Sequence, residues 1–149
     1  MSEFALVIRQ TMANLLRDKK VVPITVKKFF MTTKEVASRL VELCKQGKFE
    51  AAQKELFAKD SVSIEPQASP AFEKETKGLN AILQKGEKWK SMVEKQNKLS
   101  VSEPLIAGNS FAVTFHMDVV MKERGPVDMT ELAVYHVKDG KVVSEEFSM

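Results

Sequence analysis

Residues 109–149 read NSFAVTFHMDVVMKERGPVDMTELAVYHVKDGKVVSEEFSM, and this stretch decides the fold. It predicts three antiparallel strands, Ser110–Lys122, Val127–Lys138 and Val142–Phe147, joined by two short turns. The second turn, Lys138-Asp139-Gly140-Lys141, is the stronger signal, because Asp-Gly supplies the positive φ angles of a type I′ hairpin. The first, Glu123-Arg124-Gly125-Pro126, combines a residue that cannot donate to a ladder with one that relaxes the backbone.

Those turns set an expected register. Pairing Lys138 with Lys141 puts Tyr135 opposite Ser144 and Ala133 opposite Glu146. A two- or four-residue loop in the first hairpin puts Asp118 opposite Glu131 and His116 opposite Ala133. Alternation then sorts the side chains. One face carries Phe111, Val113, Phe115, Met117 and Val119 with Leu132, Val134, Val143 and Phe147. The other carries Thr114, His116 and Asp118 with Glu131, Ala133, Tyr135, Ser144 and Glu146. That polar face is either plain solvent surface or the lining of a pocket closed by helices. A bulge or an odd-length loop would shift the register and redistribute Glu131 and Tyr135.

Working outward, 149 residues with 44% hydrophobic side chains fit one globular domain with a real core. No apolar run approaches the ~20 residues that span a bilayer, and no secretory signal pattern opens the chain, so no membrane partner is expected. Cys44 is the lone cysteine. It falls on a helical apolar stripe, which predicts a buried thiol and, with no disulfide framework, a cytoplasmic setting. The net charge of +3 is uneven: residues 1–30 hold six basic and two acidic residues, a segment charge of +4 that leaves −1 for the rest. The body is therefore not a nucleic-acid surface. The charge break and Met31 place the start of the domain at residue 31, with residues 1–30 as a dispensable extension or an upstream start site, a docked dimer arm or a targeting peptide.

Thr32-x-x-Glu35 is a capping box at a helix start. Val36, Ala37, Leu40, Val41, Leu43 and Cys44 follow at helical spacing, and Gly47 ends the helix. A second helix is expected over Phe49–Ala58, then a strand over Asp60–Pro66 with Val62 and Ile64 on one face and Ser63 and Glu65 on the other. Gln67–Thr76 is a polar loop. Gly78–Lys95 is a third helix, where Gly86 suggests close packing and Trp89 is either core or a ligand platform. Lys98–Ala107 is a strand broken at Pro104. Helices segregated against one antiparallel sheet make an α+β domain.

Glu131-Leu-Ala-Val-Tyr135-His-Val-Lys-Asp139-Gly140-Lys141-Val-Val-Ser-Glu145-Glu146-Phe147 resembles the closing hairpin of SnoaL-like, polyketide-cyclase-like domains in the nuclear transport factor 2-like superfamily. Asp60–Glu65 and Gly78–Leu83 resemble the family's first strand and third helix, and the likeness covers residues 32–149. It implies a cystatin-like cone: three helices on a curved mixed or antiparallel sheet, enclosing an apolar pocket, commonly in a homodimer. In the cyclases a pocket aspartate on the penultimate strand serves as acid and base. Counting back from Asp139-Gly140, that position is Ala133 here, which cannot move protons.

Asp118 and Glu131 are the candidate catalytic pair. Facing carboxylates with Cβ atoms ~5 Å apart repel, and enclosure raises one pKa towards neutrality, where it can act as acid or base. His116 and Tyr135 would add a titrating group and a hydroxyl donor, and Glu65 with Trp89 would form a second wall. His116 and His136 do not make a metal site, and no cofactor motif is present. Two readings stay open: a pocket that binds a small apolar carbonyl-bearing ligand with isomerase- or cyclase-like proton transfer, or a non-catalytic dimeric ligand-binding or interaction module.

Overall fold

The computed structural model describes residues 29–149, so expectations for residues 1–28 lie outside the described residues. Helix α1 (Thr33–Lys45) begins in the predicted capping box. Thr32 N–H donates to Glu35 Oε2 at 2.7 Å, and Glu35 N–H to Thr32 Oγ1 at 3.2 Å. Its inward stripe is the predicted one, Val36 to Cys44, all buried. Gly47, at φ +71°, turns the chain so that its N–H reaches the Cys44 carbonyl at 2.9 Å.

Helix α2 (Phe49–Leu56) runs without a linker into strand β1 (Phe57–Ile64), which starts earlier than the expected Asp60. Phe57 pairs with Val142 and packs its ring in the core, so tertiary packing overrides the helical reading of Phe57 and Ala58. Strand β2 (Glu75–Lys77) forms at the end of the expected loop, too short and polar to read as a strand. Helix α3 (Leu79–Met92) again passes directly into a strand, β3 (Val93–Val101). Strand β4 (Leu105–Ala107) follows the break at Pro104. Gly86 does not mark close packing: a Cβ there would meet only Gln53 Oε1 at 3.8 Å.

Strands β5 (Ser110–Met121), β6 (Gly125–Lys138) and β7 (Lys141–Ser148) complete a sheet of order β2-β1-β7-β6-β5-β3, with β4 on β5. Strand β1 pairs parallel with β7, which makes the sheet mixed. The three helices close over one face, joining Leu40, Leu56 and Ile82 to Phe111, Val113, Phe115 and Val142 in one core. This is an α+β fold with a curved mixed sheet. No helix among the described residues is long and apolar enough to cross a membrane.

The turns decide which side chains face the helices. Asp139 (φ +50°) and Gly140 (φ +72°) form the expected tight turn, with Lys138 opposite Lys141. A bulge beyond His136 then sets Tyr135 opposite Glu145 and Ala133 opposite Phe147, not opposite Ser144 and Glu146. The first hairpin closes through Lys122, Glu123 and Arg124, with Gly125 at φ +75° opposite Met121. That loop has an odd length. It pairs Glu131 with Phe115 and Asp118 with Asp128, so the expected Asp118–Glu131 pair does not form. An odd shift in register exchanges the two faces of a strand, and Glu131 therefore lies under the helices among the buried residues of β5.

Candidate functional site

Three strands and one helix bring ionisable groups together beneath the helical layer. Strand β6 offers Glu131 and Tyr135, β7 offers Glu145, and β1 with the residue after it offers Ser63 and Glu65. Helix α3 offers Lys85.

The polar groups form a chain. Lys85 pairs with the Glu65 carboxylate, and its Nζ donates to Ser63 Oγ at 2.8 Å. Ser63 is fully buried, and its hydroxyl donates to Glu145 Oε1 at 2.7 Å. The side chains of Lys85 and Glu65 are 15% and 22% exposed, so this ion pair is screened less than a surface pair. Lys85 also sits over the Phe147 ring, 5.3 Å from its centroid.

Glu145 is 4% exposed. Burial pushes its carboxyl up to about 7, Ser63 and Lys85 act in the opposite direction, and Glu65 adds to the rise. Glu131 is half-buried and has no hydrogen bond or ion pair among the described residues. Burial, then the charges of Glu65 and Glu145, push it up to about 7 against the pull of Lys85. Tyr135 is 3% exposed, stacked on Phe111 with centroids 4.9 Å apart and edge-on to Phe57 at 6.3 Å. Burial, with Glu145, Cys44 and Glu131 nearby, raises its hydroxyl well above the usual phenol value, so it stays protonated. Cys44 is buried as expected, and burial beside Glu145 pushes its thiol up to about 12.

Of the residues expected from sequence, the fold brings Glu131, Tyr135 and Glu65 together. Trp89 is half-buried and packs against the core from α3. Asp118 and His116 lie on the opposite, helix-free face. There His116 Nε2 meets Asp128 Oδ1 at 2.6 Å, and Asp118 accepts from Asn97 Nδ2 at 3.1 Å. Sequence reasoning missed Glu145, Ser63 and Lys85. Glu145 is hidden by the bulge, which moves it by one position onto the inner face. Lys85 carried a usable signal: it lies three residues after Ile82 and four before Trp89, a lysine on the inward stripe of an amphipathic helix.

The arrangement suits proton transfer. A carboxyl raised towards neutrality stands opposite Phe115 with no hydrogen-bond partner among the described residues, and a protonated phenol lies on the same strand face.

A family model described as SnoaL-like domain matches residues 31–149. A Mesorhizobium loti protein provisionally named a SnoaL-like polyketide cyclase is 34% identical, with a TM-score of 0.74 over 80% of this chain and 100% of that one. An NTF2-like protein of unknown function from Burkholderia pseudomallei has a TM-score of 0.66 at 14% identity, covering 80% of this chain and 92% of its own. A protein of unknown function with a cystatin-like fold from Xanthomonas campestris has a TM-score of 0.61 at 16% identity, covering 78% and 89%. No curated protein matches the chain.

Proposed function

The chain belongs to the SnoaL-like domain family, and on that premise we propose that it binds a small apolar, carbonyl-bearing ligand between sheet and helices and moves a proton on it. The observation that carries this reading is Glu131: half-buried, without a hydrogen-bond partner among the described residues, and raised to about 7. As carboxylate it would remove a proton from the carbon beside the carbonyl, and as acid it would return one. The Tyr135 hydroxyl would donate to the oxygen of the enolate so formed. Ala133, where the resemblance to cyclases would place an acid, is fully buried on the same face, and this reading assigns the proton instead to Glu131, two residues earlier on β6.

The test is deuterium exchange at the α-carbons of phenylacetone and acetophenone in D2O, followed by NMR. The native protein should accelerate exchange, and Glu131→Gln should lose roughly 10²–10⁴-fold of that acceleration. Equal rates for both proteins would sink the reading.

A second reading rests on the helix-free face of the sheet. Leu132 is 40% exposed there, beside the His116–Asp128 pair. Leu105, 77% exposed, and Val134 flank Ala112 on the same face, and a contiguous apolar patch of this kind supports self-association into a dimer. Light scattering would separate the two, because Leu132→Glu should leave a monomer if that face pairs two copies.

A further inference from the structure

We propose that Ser63, held between Lys85 and Glu145, is a positioning residue that fixes Glu145 as the anion of the buried pair and so leaves the exchangeable proton to Glu131. This deepens the proton-transfer reading and rests on it.

The direction of the hydrogen bonds carries the inference. The Lys85 ammonium can only donate, so Ser63 Oγ accepts from it, and the Ser63 proton is turned towards Glu145 Oε1. Glu145 is thereby an acceptor at the end of a chain that starts at a cation, and such a bond favours the carboxylate. Glu131 has no such donor among the described residues.

Two neighbouring carboxyls in a low-dielectric site cannot both ionise easily, so the one without a donor keeps the proton. The groups that face this pair are Glu65 from the end of β1, Lys85 from α3, Tyr135 from β6 and Cys44 from α1. Only Lys85 among them is a cation, and Ser63 delivers its influence to Glu145 through a hydrogen bond. Ser63 touches no reacting atom in this scheme. It works through Glu145 on Glu131.

The test is a site-resolved NMR titration of the Glu131 and Glu145 side-chain carboxyl carbons in the native full-length chain and in two variants. Ser63→Ala removes the donor, so Glu145 takes the proton first and the Glu131 midpoint falls by about one pH unit. Glu145→Gln removes the charge directly, and the Glu131 midpoint falls by at least as much. A purely structural serine would leave the Glu131 midpoint where it is. Should Glu131 titrate near neutrality in the native chain yet hold its midpoint in both variants, the relay is overturned and the proton-transfer reading stands. Native carboxyls that both titrate in the ordinary glutamate range would overturn the two together.

Discussion

Phe115 and Glu131 stand directly opposite each other across β5 and β6, an aromatic ring and a carboxylate sharing one cross-strand position under the helices. Beside that ring the carboxylate has lost much of its hydration and has no hydrogen bond or ion pair among the described residues. Its energetic signature follows from that.

Stability should fall as pH rises. Glu131 and Glu145 bind protons more tightly in the folded chain, at about 7, than the ordinary value of 4.5. The folded state therefore holds more protons than the unfolded state between those values, and the slope of stability against pH is negative there. Urea unfolding at pH 4.5 and pH 8 should find the protein weaker at pH 8. Glu131→Gln should remove part of that loss, making the variant about 1–3 kcal/mol more stable than the native chain at pH 8. Parallel pH profiles for the two proteins would refute this.

Lys85→Met should act in the opposite sense. Lys85 lowers the pKa of both Glu131 and Glu145, so both midpoints should climb when it is removed. Glu65 also loses its partner in a poorly solvated position. Breaking one side of such a pair should cost roughly 2–4 kcal/mol at pH 8, with less cost at pH 5. Denaturation at both pH values measures the difference, and a pH-independent loss would point to packing alone.

Two glycines should respond with opposite signs. At Gly140 a Cβ would lie 2.8 Å from the Met31 backbone nitrogen, and φ is +72°. Gly140→Ala should destabilise by about 1–3 kcal/mol. Gly86 sits inside α3 with only an ordinary 3.8 Å contact to Gln53. Gly86→Ala should stabilise by up to about 1 kcal/mol through helix propensity. Thermal unfolding midpoints of the two variants should move to opposite sides of the native value.

Local chemistry was legible wherever a few residues settle it. Thr32 with Glu35 marked the first helix, Gly47 its end, and Asp139-Gly140 the tight turn. The inward set on β6, Glu131, Ala133 and Tyr135, was legible as one face because alternation is intrinsic to a strand. Which residues of β5 and β7 joined that set was not. It depended on whether the first hairpin used two, three or four loop residues, and on a bulge that no side chain near His136 announces. Asp118 and His116 were misplaced for that reason, and Glu145 was passed over for the same one. The parallel pairing of β1 with β7 joins segments far apart in sequence, so no local pattern encodes it.

Leu56 meets Phe57, and Met92 meets Val93, with no spacer between helix and strand. Each of these two helices is thus joined directly to the strand it feeds, so the helix end and the strand start share one backbone direction. The span between Ile64 and Glu75, by contrast, carries ten residues between one strand and the next. Lengthening either junction by a few flexible residues would hand the helical layer a hinge, and the shelter that keeps Glu131 poised would be the first thing lost.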